Sequence, residues 1–194
     1  MKKYLRAFIY LVLFSILLGA FVYLGKKDFQ KQDITDAERF NQDYPEISVN
    51  NKFVYVNSNE VIDLLSNGTG ILFIGFPSNE WAQYYVKNFY NVVVKYDVKE
   101  IYYYDVLKDR SKNTKRYREI EEILKSHLMK TDEEKEYLFT PALIFIKNGQ
   151  IVYYDDETSI ISSTETPENY WNENNINLFS ARMNLYLNGE NYNG

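Results

Sequence analysis

The residues of this chain that could do chemistry are concentrated in one turn, Gly75-Phe76-Pro77-Ser78-Asn79-Glu80-Trp81-Ala82, which follows the apolar run 71–74. Glu80 is the only ionisable side chain in this turn, and no base partner of the kind that acid–base catalysis needs stands beside it. Asn79 can donate and accept hydrogen bonds, and Trp81 offers a large aromatic surface. The residue types of the turn therefore favour binding over catalysis.

The chain contains no cysteine and a single histidine, His127. The lack of cysteine excludes disulfides, thiolate metal sites, a thiol nucleophile and lipidation of an N-terminal cysteine. We expect His127 to be solvated near a helix end, where it cannot form a multi-histidine metal site. The run Asp155-Asp156-Glu157 lacks the alternating ligands and the glycine of a calcium loop, and this indicates a solvated acidic loop. The sequence thus predicts no metal and no cofactor.

Charge separates the N-terminus from the rest of the chain. The formal net charge is −5, although Lys2, Lys3 and Arg6 stand in the first 25 residues, which contain no acid. The remainder is therefore more acidic than the chain as a whole. An acidic body argues against nucleic acid as a partner, because phosphate binding needs a basic face.

An uncharged stretch of 18 residues runs from Ala7 to Leu24. It approaches the roughly 20 residues that a helix needs to cross a bilayer, and the basic residues before it favour a cytoplasmic N-terminus. The sequence therefore predicts a single-pass anchor at 1–25, embedded through residues 4–24, with an extracytoplasmic body. A cleaved signal peptide would instead give a secreted protein, but no good small-x-small site precedes Gly25.

Residues 26–50 are polar and charged, and this predicts a stalk, with a helical turn around 35–40, before a domain at 51–188 and a polar tail at 189–194. Apolar runs of strand type alternate with helical periodicities in the domain. The predicted strands are 53–56, 71–75, 99–106, 140–146 and 150–154. The predicted helices cover 60–65, capped by Ser58 or Asn59, and 81–89, 109–127 and 176–187.

Two glycines indicate turns between these elements. Asn67-Gly68 should end the first helix of the domain, with a residue that tolerates positive φ. Asn148-Gly149 between two apolar runs predicts a tight hairpin, since both residues accept positive φ. The resulting order predicts an α/β three-layer sandwich with a mixed, mostly parallel sheet and the strand 71–75 near its centre. Ligands bind at the carboxyl ends of such strands, and this points to the turn 76–82.

On these residues the chain resembles the thioredoxin superfamily over about residues 52–187. Its small membrane-anchored or secreted members in Gram-positive bacteria carry a Gly-x-Pro-x-Cys-x-x-Cys run after the buried strand, and Gly75-Phe76-Pro77-Ser78 matches the lead-in. Asn79 and Ala82 stand where the two cysteines would be, and Thr140-Pro141 begins a strand 58 residues after Ala82. The likeness is greatest to membrane-anchored thioredoxin-like proteins of Gram-positive bacteria, including the bacteriocin transport accessory type.

The resemblance implies that the Thr140–Pro141 bond is cis and faces the turn at Asn79. Thiol–disulfide exchange requires a thiolate, so we expect a redox-inactive domain with Asn79 and Ala82 as degenerate dithiol positions. In active relatives an extended substrate pairs its backbone with the residue before the cis proline, and this pairing needs no sulfur. The expected binding positions are Phe76, Pro77, Glu80, Trp81, Thr140 and Pro141.

Two functions follow as expectations from this resemblance, and an enzyme activity of an unrelated kind is a third alternative. The first is a protein- or peptide-binding accessory or chaperone-like module. The second is a purely structural subunit of a membrane or secretion assembly that uses the fold as a scaffold. In that case the chain's own side chains would fill the site around the degenerate dithiol positions.

Overall fold

The computed structural model describes three stretches of the chain, residues 34–130, 136–156 and 164–189, which from Thr35 onward belong to one compact unit. The predicted anchor at 1–25 lies outside the described residues, as do residues 26–33 of the predicted stalk and 190–194 of the predicted tail. In the described stretches, no helix has the length and apolar character needed to span a membrane.

The described residues form seven strands and seven α-helices. The strands are β1 (Phe53–Tyr55), β2 (Gly70–Gly75), β3 (Ile101–Asp105), β4 (Met129–Lys130), β5 (Glu136–Tyr137), β6 (Ala142–Lys147) and β7 (Gln150–Asp155). The helices are α1 (Asp36–Asp43), α2 (Ser58–Asn67), α3 (Glu80–Val93), α4 (Leu107–Ser111), α5 (Lys115–Leu124), α6 (Pro167–Tyr170) and α7 (Glu173–Asn188), with a 3₁₀ turn at Lys125–His127.

Five strands form the main sheet, in the order β1-β3-β2-β6-β7, and β4 pairs with β5 separately. The α/β class, the mixed sheet and the central place of β2 are confirmed. The expectation of a mostly parallel sheet is wrong, because β2 and β7 both pair antiparallel with β6 in registers longer than the parallel ones of β3. The helical crossovers through α2 and α3 keep β1, β2 and β3 parallel. Strand β6 runs in the opposite direction, and the tight hairpin after it reverses the chain again into β7.

Strand β2 is buried on both faces of the sheet. Ile71 and Phe73 lie in an apolar cluster with α3 and α7, and Leu72 and Ile74 lie in a second cluster with α2 and α5. Each of these four side chains is at most 1% exposed. Because successive side chains of a strand point to opposite faces, a continuous apolar run is what such a position requires. The sheet is thus the middle of three layers.

Helix α1 corrects the predicted stalk at 26–50. The helix begins with a capping box in which the Thr35 Oγ1 accepts from the Glu38 N–H at 3.3 Å and a Glu38 carboxylate oxygen accepts from the Thr35 N–H at 2.8 Å. Phe40, Tyr44 and Ile47 are buried in the α3/α7 cluster. Phe40 lies in α1, and Tyr44 and Ile47 lie in the turns that follow it, so three apolar side chains anchor a segment whose overall composition is polar. From Thr35 on, the predicted stalk is therefore part of the domain.

Three local predictions can be compared with the backbone. The hairpin is confirmed, with φ of 49° at Asn148 and 73° at Gly149. Gly68 does end α2, but its φ is −86°, so the expected positive φ is wrong. Glycine fits there because a Cβ would lie 2.8 Å from the Leu64 Cα. The helix predicted through 109–127 is interrupted at Asn113, whose φ is 45°.

Truncation of Phe40 tests whether α1 belongs to the domain. The Phe40 ring is fully buried and stacks on Phe53 with 3.8 Å between ring centroids. Removing a buried aromatic ring of this kind costs about 3–5 kcal/mol. We expect Phe40→Ala to lower the free energy of unfolding by this amount in guanidinium denaturation. Val49→Ala, at a side chain 51% exposed, should change it by less than about 0.5 kcal/mol; equal effects of the two variants would contradict the assignment.

Candidate functional site

The turn between β2 and α3 is organised by Asn79. Its Oδ1 accepts from the Trp81 N–H at 3.0 Å, which makes Asn79 the N-cap of α3. Its own N–H donates to the Phe76 carbonyl at 3.0 Å. An asparagine at this position satisfies a backbone donor that the first helical turn would otherwise leave unpaired. The side chain that replaces a thiol in the resemblance therefore has a local structural role.

The Thr140–Pro141 segment lies opposite this turn. The peptide bond between the two residues is cis, and β6, which follows directly, pairs Ala142 with Ile74 at the end of β2. The Asn79 Nδ2 donates to the Thr140 carbonyl at 2.9 Å. Both implications of the resemblance, the cis bond and its place facing Asn79, are thus confirmed. One amide side chain thus connects the turn before α3 with the Thr140–Pro141 segment. The surface where these two segments meet, at the carboxyl end of β2, is called the crevice below.

A third segment reaches the crevice through Arg110 in α4. Its guanidinium lies over the Phe76 ring, 4.9 Å from the ring centroid. Its Nη1 donates to the Thr140 Oγ1 at 3.1 Å. The sequence predictions missed Arg110. Its position shortly after a strand that ends at the same edge as β2 was the available signal.

Gln83 holds the turn before α3 through hydrogen bonds to two backbone carbonyls. The sequence predictions missed this residue as well. Its Nε2 donates to the Pro77 carbonyl at 2.8 Å and to the Asp43 carbonyl at 2.9 Å. The residue stands one helical turn after Asn79, on the same face of α3. It joins the turn to the end of α1, so the segment misread as a stalk also positions the site.

The remaining predicted residues divide among three environments. Pro141 and Ala82 are buried, and Ala82 belongs to the α3/α7 cluster. Glu80 is exposed at the first turn of α3, and no hydrogen bond or ion pair to its side chain is found within the described stretches. Trp81 is half-buried and packs edge to face on Tyr170 in α6, 5.7 Å between centroids. The structure thus brings together Phe76, Pro77, Asn79, Thr140 and Pro141, whereas Glu80 and Trp81 lie at the margin.

Acids and tyrosines gather beside the crevice at the carboxyl ends of β1 and β3. Tyr55 donates its hydroxyl to the Asp43 carboxylate, and the Tyr44 and Tyr103 hydroxyls lie 3.2 Å apart. Burial raises the pKa of all three tyrosines far above the ordinary value, so they remain protonated. Asp105, which pairs with Gly75 in register, has its pKa raised by burial and by the neighbouring carboxylate of Asp43.

A cavity of about 430 Å³ opens at the same edge, lined by charges of both signs that include Arg39, Glu60, Asp105 and Lys108. None of the predicted site residues lines it. The cavity is therefore separate from the contact between Asn79 and Thr140.

The prediction of a solvated acidic loop at Asp155-Asp156-Glu157 is wrong for Asp155, and Glu157 lies outside the described residues. Asp155 is only 6% exposed and accepts from the Tyr85 hydroxyl at 2.9 Å and from the Arg182 Nε at 2.5 Å. A carboxylate can be buried in this way because a charge partner and a hydrogen-bond donor compensate its lost hydration. Asp155 therefore ties the end of β7 to α3 and α7 and serves the fold.

The described residues include no group of three or more histidine, aspartate or glutamate side chains that could hold a metal ion. His127 is exposed, as predicted, and stacks on Tyr154 with 5.7 Å between ring centroids. The chain matches no protein-family model and no curated protein.

The raised pKa of Asp105 predicts how folding stability depends on pH. A carboxyl whose pKa is higher in the folded state loses stability when it ionises, so the cost is absent below the unfolded value of about 3.9 and complete above the raised pKa. Asp105→Asn removes this cost and keeps an Oδ1 acceptor for the Leu107 N–H, which now donates at 3.0 Å. We expect the variant to be more stable than the parent near neutral pH and equal to it at about pH 3.

Guanidinium denaturation at the two pH values measures this difference. Asp97→Asn, at an exposed aspartate, is the matched control and should have no effect at either pH. A gain in Asp105→Asn that is equally large in acid would show that the cause is not ionisation.

Proposed function

We propose that this chain is a redox-inactive thioredoxin-like domain, carried on an N-terminal membrane anchor, that binds an extended segment of another protein outside the cytoplasm. The observation that carries the proposal is the hydrogen bond from the Asn79 Nδ2 to the Thr140 carbonyl, at 2.9 Å. It brings the turn before α3 and the Thr140–Pro141 segment to opposite sides of one crevice. These are the two parts with which thioredoxin-like proteins hold a substrate.

The order and direction of the strands support the proposed fold. Strand β2 lies centrally, next to a parallel β3 and an antiparallel β6. Helix α3 packs on one face of the sheet and α2 on the other. Asn79 and Ala82, at the N-cap and third residue of α3, have the spacing of a dithiol that begins a helix.

The backbone of Thr140 provides the pairing group for a peptide. Within the part of the chain that the structure describes, no acceptor is found for its N–H. Its carbonyl has two lone pairs, of which Asn79 uses one. An extended peptide can add its backbone to such an unpaired edge without any covalent chemistry. The half-buried Trp81 offers an aromatic surface at the margin for a side chain of that peptide.

Redox inactivity follows from the residues that are present. A mixed disulfide needs an attacking thiolate and a resolving thiol, and the chain has no cysteine. The amide of Asn79 hydrogen-bonds, and the methyl group of Ala82 is part of the core. The membrane anchor is supported by the uncharged stretch Ala7–Leu24 and the basic residues before it.

One observation favours the second candidate, a structural subunit that uses the fold as a scaffold. Asn79 already occupies one lone pair of the Thr140 carbonyl, and the ring of Trp81 already packs on Tyr170. The chain's own side chains thus fill part of the crevice. In this case partners would dock elsewhere, and substitutions in the crevice would not affect them.

Truncation of Trp81 separates the two candidates. The full chain in detergent micelles is applied to an array of extended peptides, and affinities for the retained peptides are measured by fluorescence anisotropy. Because buried aromatic anchors contribute disproportionately to binding, we expect Trp81→Ala to lower the affinity for the peptides by about tenfold or more.

Leu185→Ala is the matched control, since this apolar side chain on α7 is 65% exposed. It should leave the affinities unchanged, and thermal unfolding of both variants shows whether the fold is intact. Equal affinities for Trp81→Ala and Leu185→Ala, or no retained peptide at all, would contradict peptide binding in the crevice and favour the structural subunit.

Restoring the dithiol tests the proposed fold. The double variant Asn79→Cys/Ala82→Cys should form an intramolecular disulfide on oxidation, because the two positions stand at the N-terminus of α3, where a thiolate is stabilised. We expect it to catalyse the reduction of insulin by dithiothreitol, whereas the parent chain should show no turnover above background. Mass spectrometry of alkylated protein reports the disulfide.

Each single variant is a control, since one thiol can attack but cannot complete the cycle. Thermal unfolding checks that the new side chain at Ala82, a core position, is tolerated. A folded double variant that forms no intramolecular disulfide would contradict the thioredoxin-like assignment.

A further inference from the structure

Arg110 lies where the fold makes a crevice. The chain leaves β2 toward α3 on one face of the sheet and leaves β3 toward α4 and α5, with α5 packed on the other face. These two strands are neighbours, and their last residues, Gly75 and Asp105, are in register. Ligands of open α/β sheets bind outside the carboxyl ends of strands at such a switch of direction. Arg110 is five residues beyond the end of β3.

The guanidinium of Arg110 is held in a defined orientation. It is stacked over Phe76 and hydrogen-bonded to the Thr140 Oγ1. Both contacts are with residues of the proposed peptide site. A guanidinium has five N–H donors in a planar fork, and one nitrogen is used here. The remaining donors are preorganised, so little conformational entropy is lost when they bind a planar acceptor.

No carboxylate of the described residues forms an ion pair with Arg110. The ion pairs found there are Lys87–Glu46, Arg116–Glu119, Lys125–Glu122 and Arg182–Asp155. Arg110 is nevertheless half-buried, and the chain as a whole is acidic, with a formal net charge of −5. A partly desolvated cation that forms no ion pair with the described carboxylates favours an anion from a ligand.

From this arrangement we infer that Arg110 binds a carboxylate of the extended peptide, and that the site therefore selects acidic segments. The inference rests on the proposed peptide-binding function. The guanidinium contacts Thr140 through its side chain, so a peptide paired with the Thr140 backbone passes beside the free donors. The carboxylate comes from an aspartate or glutamate side chain or from a peptide C-terminus, and both present the same planar pair of oxygens.

A peptide array probed with the full chain in detergent micelles tests the inference. The array holds degenerate decapeptides whose central residue is Asp, Glu, Asn or Gln, each with a free or an amidated C-terminus. The readout is the ratio of binding between each acidic peptide and its amide counterpart. A charge-assisted bidentate contact predicts a ratio of about ten or more for the side-chain or the terminal carboxylate, and the two series identify which one is bound.

The variant Arg110→Gln should bring this ratio close to one, and Arg110→Lys should leave an intermediate ratio, because the charge remains without the planar fork. Arg116→Gln is the matched control, since it removes one positive charge from an exposed ion pair on α5. It should keep the parent ratio. If thermal unfolding shows that Arg110→Gln does not fold, the comparison of the binding ratio between Arg110→Lys and the parent chain tests the inference instead.

Four results would overturn the inference. A parent ratio near one would show that peptides bind without regard to acidity, and the proposed function would survive. An unchanged ratio in Arg110→Gln, or an equal loss in Arg116→Gln, would show that a different or long-range charge is responsible. Failure of every peptide to bind would overturn the proposed function together with the inference.

Discussion

The burial of β2 on both faces is the constraint on which the rest of the structure depends. Four successive apolar side chains, Ile71 to Ile74, lie alternately in the two clusters that hold the helices against the sheet. A strand in this position must have a neighbour on each edge, and β3 and β6 fill these places. The end of β3 and the beginning of β6 bring Asp105 and Thr140 next to the last residues of β2. The position of the crevice is therefore a consequence of how the core is built.

At this edge a single amide has two structural roles. Asn79 caps α3 through its oxygen and holds Thr140 through its nitrogen. A thiol could supply neither contact in this form, because it is a weak donor and a weak acceptor. Asparagine therefore joins the two sides of the crevice in a way that cysteine could not. These two contacts support the proposed peptide-binding function.

The main strands and long helices were predictable because their patterns are local. The apolar run of β2, the Asn148-Gly149 turn and the stripe of α3 each report a backbone state within a few residues. Features that depend on distant partners were missed or misread. Residues 35–47 look like a polar stalk until Phe40 meets Phe53, and Asp155 looks solvated until Arg182 and Tyr85 surround it.

The sequence by itself determined which chemistry is absent, because a chain without cysteine cannot exchange disulfides in any fold. It also determined where the turn before α3 lies, since strand, proline and helix signals are read from neighbouring residues. Only the tertiary structure decided what that turn contacts. Arg110 and Thr140 are 30 residues apart, and Asn79 and Thr140 are 61 apart. Such pairs come together only when the sheet aligns the ends of its strands, and no local pattern encodes that alignment.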